Sequence, residues 1–128
     1  MKYKSINHLS ERAAEMVRFR LNDDLCDVTI TAGEGKIRAH KLVLAASSPY
    51  FRSMFRGGLS EVNRPQPDVT ITGVDFRGVD EEALEALISF CYTSSIELGE
   101  NNVESLLSAA CYLHMVEIKV NLRINLVN

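Results

Sequence analysis

The sequence predicts an α+β fold, a small mixed β-sheet flanked by a cluster of α-helices, and three patterns point that way. Residues 27–39 alternate polar and apolar side chains on either side of a glycine-bearing turn, as a half-buried hairpin must. Several other segments return apolar residues every three or four positions, as amphipathic helices do. Strands followed by helices in pairs are the order of an α+β domain. A length of 128 residues suits one domain with a single core, and 46% hydrophobic with 24% charged side chains are ordinary globular proportions.

The first helix is expected over residues 7–21. Leu9, Ala13 and Met16 form its apolar side with Ile6 just ahead, while Glu11, Arg12, Arg18 and Arg20 supply a polar side. Asn22, Asp23 and Asp24 break it, and residues 27–32 then alternate as a strand. Gly33 to Lys36 form a turn, and Ile37, Arg38 and Ala39 resume the alternation. Leu42 to Ala46 are a short apolar segment, after which Ser48 suits an N-cap and Pro49 the first helical position. Phe51, Met54 and Phe55 share a face of that helix, which Gly57 and Gly58 should end. Val69, Thr70 and Ile71 read as a third strand beyond a loop containing Pro65 and Pro67.

Asp80 is placed to cap the next helix, with Glu81 and Glu82 in the first turn, where the helix dipole favours anions. Leu84, Leu87, Ile88 and Cys91 are its expected buried stripe. Ser95, Ile96, Glu97 and Leu98 then read as a short strand. Asn101 or Asn102 is expected to cap a helix that buries Val103, Leu106, Leu107 and Ala110.

Charge and cysteine usage narrow the chemistry. The net charge of −3 arises from interspersed charges with no basic stripe, so there is nothing to displace counterions from a phosphate backbone, and nucleic acid is not an expected direct partner. No apolar run reaches signal-peptide or membrane-spanning length, which points to the cytoplasm or the nucleus and to no membrane partner. Cys26, Cys91 and Cys111 are odd in number and widely spaced, and read as reduced thiols. Cys111 and His114 have the spacing of half a zinc site, but no second pair completes a tetrahedron. No metal and no cofactor is expected. Asp27, His40 and Ser47 or Ser48 offer the residue types of an acid–base–nucleophile relay, yet the serines precede a proline and suit a helix start rather than a glycine-flanked nucleophile turn. No catalytic residue is assigned, and the chain is not read as an enzyme.

With these blocks in place, the chain resembles the BTB/POZ domain of the kind found at the N-terminus of kelch-repeat proteins. The likeness rests on LCDVTI at residues 25–30, RAHKLVLAASSPYFRSMF at 38–55, LISFCYTSSIEL at 87–98 and NNVESLLSAACYL at 101–113, in that order. It covers about residues 5–118, so residues 1–118 are taken as the domain and 119–128 as a divergent tail. The resemblance implies a homodimer in which Ile6, Leu9, Ala13 and Met16 of the first helix meet the partner chain. It implies that Asp27 and Lys41 belong to a charged pocket at the dimer groove. It implies an adaptor role on the cullin-three scaffold of a ubiquitin ligase, carried by a triplet of hydrophobic residue, any residue and glutamate, here Leu59, Ser60 and Glu61. The same fold also serves, in the alternative reading, as the dimerisation and co-repressor-binding domain of a transcriptional regulator.

The chain departs from that pattern in three places. Gly73 to Val79 make a longer connection than kelch-type members have. At the end, Val116, Ile118, Val120, Leu122, Ile124 and Leu126 alternate strictly with polar residues, a period of two where the family has helix. A strand is therefore expected from about Val116. The family's later helical pair and repeats are not in this sequence, so a short form without substrate-binding repeats, acting as adaptor or through mixed dimers, is a further expectation.

Overall fold

The computed structural model describes residues 1–56, 68–71 and 79–127. The expected α+β architecture is present. Elements run α1 (His8–Leu21), β1 (Val28–Ala32), β2 (Gly35–Ala39), α2 (Lys41–Ser47), α3 (Pro49–Arg56), β3 (Asp68–Ile71), α4 (Glu81–Thr93), α5 (Val103–Tyr112) and α6 (Val116–Val127). The sheet has the order β2-β1-β3. β1 pairs antiparallel with β2, setting Val28 opposite Ala39 and Ile30 opposite Ile37. It pairs parallel with β3, setting Ile30 opposite Val69, so the sheet is mixed.

The alternation in β1 and β2 does what a period of two dictates. Val28, Ile30, Ala32, Ile37 and Ala39 turn inward and are buried. The helices close over this face with Leu44, Phe51, Leu84, Leu87, Ile88, Leu106 and Leu113, each no more than 1% exposed. Two of the three predicted caps form, whereas Asn102 at the start of α5 makes no side-chain capping bond. Asp80 accepts from the Glu82 amide at 3.3 Å, and Ser48 Oγ accepts from the Phe51 amide at 3.2 Å while donating to the Leu113 carbonyl at 2.7 Å. Ser48 is fully buried, so this double role joins the start of α3 to the end of α5.

Two sequence expectations are corrected. Residues 95–98 form no strand. Their polar groups are engaged by neighbouring side chains instead: Thr93 Oγ1 accepts from the Ser95 amide at 3.2 Å, and Asn102 Nδ2 donates to the Glu97 carbonyl at 3.0 Å. Asn102 Oδ1 also accepts from the Gly99 amide at 2.8 Å.

The larger correction concerns the tail, which is the helix α6 and not a strand. A helix advances about 100° per residue, so residues two apart lie on nearly opposite sides and residues four apart nearly coincide. Strict alternation therefore wraps into a helix that is apolar on two sides. Ile118 at 6% and Leu122 at 1% exposure face the core, whereas Val116, Val120 and Ile124 are 65%, 49% and 52% exposed. Packing of α6 against α5 decides for the helix over the local pattern.

Candidate interaction surface

α1 has no buried residue, although its apolar periodicity is that of a packing helix. Ile6 is 95% and Leu9 68% exposed, and Ala13 is exposed as well. Met16 is half-buried and rests on the core together with Val17. The four residues assigned to a dimer face thus divide: Met16 attaches the helix to its own domain, and Ile6, Leu9 and Ala13 are presented outward.

Polar contacts hold α1 in that position. Arg20, in its last turn, donates from Nη2 to Glu85 at 2.7 Å and from Nη1 to Ser89 Oγ at 3.1 Å, both on α4. Its Nε reaches the Arg38 carbonyl on β2 at 3.2 Å, and the guanidinium lies 5.4 Å from the centroid of the Tyr92 ring. Arg38 completes the connection, donating to Asp23 at 2.9 Å, to Thr29 Oγ1 at 2.8 Å and to the Cys26 carbonyl at 3.1 Å. The Arg38 hydrogen bond holds the Asp23 carboxyl below its usual range. Asp23 and Leu25 have φ of 53° and 62°, left-handed values that most side chains avoid, in the turn these contacts pin. Sequence reasoning placed Arg20 only on a polar side; nothing in its neighbours signals a bridge to α4.

Asp27 and Lys41 do come together. The Asp27 carboxylate accepts from the Lys41 backbone amide at 2.7 Å, and Lys41 Nζ lies 6.0 Å from the centroid of the Phe55 ring. Asp27 thereby serves the first amide of α2 from a distant strand start. Leu42, beside Lys41, is 77% exposed, and Leu25, two residues before Asp27, is 73% exposed.

The relay geometry is not assembled. The Tyr92 hydroxyl accepts from the His40 amide at 2.8 Å and pairs with His40 Nδ1 at 2.7 Å, while Nε2 pairs with the Asp24 carbonyl at 2.9 Å. A carbonyl can only accept, so Nε2 carries the hydrogen and Nδ1 takes the Tyr92 proton. Both nitrogens are committed to structure, Asp27 is turned to Lys41, and Ser48 to Leu113. Cys26 Sγ sits 3.7 Å from Nε2, and burial with the nearby Asp23 charge pushes its thiol up, away from the reactive thiolate. Cys26, Cys91 and Cys111 are free thiols. Among the described residues no cluster of His, Cys, Asp and Glu is arranged to hold a metal ion, and no helix is long and apolar enough to cross a membrane.

Leu59 and Glu61, the expected cullin-binding pair, lie outside the described residues, as does most of the long connection from Gly73.

Comparison with known proteins agrees with this architecture. The structure matches the BTB domain of zebrafish PATZ1 with a TM-score of 0.84 over 98% of this chain and 97% of that one, at 24% sequence identity. At that identity the likeness is one of fold. A family model described as the BTB/POZ domain matches residues 16–128. An exposed apolar first helix, a three-stranded mixed sheet and a helical cluster, matched over most of the sequence by that model, show that the chain belongs to the BTB/POZ domain family, whose members are protein–protein interaction and dimerisation modules.

Proposed function

We propose that the chain is a homodimerising adaptor of the kelch-type branch that docks on the cullin-three scaffold of a ubiquitin ligase. The observation that carries the dimer is the exposure of Leu9, at 68%, on a helix with no buried residue, and of Ile6, at 95%, just ahead of it. Apolar side chains aligned this way favour a second apolar surface, and a two-fold interface uses each of them twice. The cullin contact is read from Leu59, Ser60 and Glu61, where leucine would fill an apolar pocket and glutamate would accept hydrogen bonds.

Calorimetry with the cullin N-terminal domain tests the adaptor reading. Wild type should bind with micromolar affinity, and the double substitution Leu59→Ala, Glu61→Ala should weaken binding at least about a hundredfold, each side chain contributing roughly 1.5–3 kcal/mol. Equal affinities for the two proteins, both dimeric by light scattering, would remove the docking model and leave the family assignment intact.

A second reading, a co-repressor-binding dimer of a transcriptional regulator, is favoured by the Asp27–Lys41 contact with exposed Leu25 and Leu42 alongside. Charged groups beside apolar ones suit peptide capture. A dimer with no measurable cullin affinity would move the assignment there.

A further inference from the structure

The outer side of α6 carries exposed apolar side chains that are not among the residues read for the dimer or the cullin contact. Val116, Val120 and Ile124 recur every four residues and are 65%, 49% and 52% exposed, so they form one continuous apolar ridge along the helix. Lys119 and Arg123, also four apart, run along one edge of that ridge, and neither makes an ion pair among the described residues. Glu117 and Asn121 stand along the other edge. Asn121 bonds back to the Glu117 carbonyl at 3.0 Å and so is directed to its own helix.

We propose that this face docks an amphipathic helix of a partner protein whose apolar stripe is edged by carboxylates. Helix-on-helix recognition needs anchors at a spacing of three or four, which the ridge supplies. Charge selects the occupant. The two cations on one edge demand acids opposite them, and like-charge opposition is costly at an interface. A second copy of this chain fits poorly. Antiparallel two-fold pairing of this face would set Lys119 and Arg123 against their own copies, and parallel pairing would offer a single Glu117 to both. The ridge is also too small for a stable dimer, because three side chains fall well short of the roughly 800 Å² that each partner of a standard interface buries. A short helical segment of a larger protein meets both limits. The inference does not depend on Leu59 or Glu61.

The test uses the full chain and a designed amphipathic helical peptide with leucines at helical spacing and glutamates along the flanks. Two controls are the same peptide with lysine for glutamate, and a scrambled sequence. Titration followed by NMR should shift resonances of residues 116–124, and anisotropy should show the acidic peptide binding about tenfold more tightly than the lysine peptide. Lys119→Glu with Arg123→Glu should invert that preference, which a merely unfolded protein cannot do. Val120→Asp with Ile124→Asp should abolish binding of either peptide while leaving the circular dichroism spectrum unchanged. Equal binding of acidic, basic and scrambled peptides would overturn the proposal, as would shifts mapping away from α6. A loss of self-association in the Val120→Asp, Ile124→Asp protein would overturn it in favour of a second copy.

Discussion

Gly33 shows how a single backbone angle fixes a hairpin. Its φ of 61° opens the connection from β1 to β2, where a two-residue loop with glycine first matches the twist of the strands. A Cβ at Gly33 would meet nothing closer than the Glu81 carboxylate at 3.7 Å, an ordinary contact, so substitution is opposed by conformation and not by space. Gly33→Ala should therefore cost about 1–2 kcal/mol in denaturant unfolding, with the spectrum of the native state unchanged. Tyr92 is the other residue whose role is out of proportion to its size. Its hydroxyl satisfies both the backbone and the ring of His40, and Tyr92→Phe should cost about 1–3 kcal/mol by leaving that amide unpaired. Burial pushes the Tyr92 hydroxyl up to about 12 and the Cys91 thiol up to about 11, from ordinary values of 10.0 and 9.0. In alkali the unfolded chain loses these protons first, so stability is whole below pH 9.0 and falls through 9.0 to about 11 for Cys91 and 10.0 to about 12 for Tyr92. Unfolding titrations should show that decline, and Tyr92→Phe should flatten its upper part.

At the level of elements, α6 separates what a periodic pattern can say from what packing decides. As a strand, residues 118, 120 and 122 would share one face and matter equally; as a helix they do not. Leu122→Ala, at a site 1% exposed, should cost about 2–5 kcal/mol, and Val120→Ala, 49% exposed, no more than about 0.5 kcal/mol. Comparable losses at the two positions would contradict the helix. The hairpin, the Ser48 and Asp80 caps and the stripe of α4 were legible because each is a local pattern with one satisfying geometry. The tail was not, because alternation is equally compatible with an amphipathic strand and with a helix apolar on two sides, and packing against α5 distinguishes them. Residues 95–98 misled for a related reason, since Ile96 and Leu98 alternate correctly while Thr93 and Asn102 engage the backbone around them. Of the candidate site, the apolar face of α1 was visible in its spacing. The Arg20 contacts that orient it were not, because they join residues 65 and 69 positions apart in sequence.

For the whole molecule, the balance between self-burial and partner-burial rests on α1. The helix contributes Met16 and Val17 to its own core and leaves Leu9, with Ile6 just ahead of it, outside, and Arg20 on Glu85, Ser89 and Tyr92 supplies its polar attachment to the domain. Arg20→Ala should raise hydrogen exchange along His8–Leu21 well before global stability is lost, and Arg20→Lys should restore little, since an ammonium cannot serve three directions in one plane. Dimerisation would add a second constraint on the same helix. A protein whose folded state is dimeric gains stability with concentration, by mass action, at about 1.4 kcal/mol of dimer for each tenfold increase. The Tm of wild type should thus climb across about a hundredfold range of concentration. Leu9→Asp, at a site 68% exposed, removes no intramolecular contact of consequence and should give a Tm independent of concentration. The two proteins should converge on dilution, because the substitution acts on the interface and not on the isolated domain. A wild-type Tm that stays flat over the same range, with a monomeric molar mass, would show that α1 holds its apolar face open in solution and that the dimer reading fails.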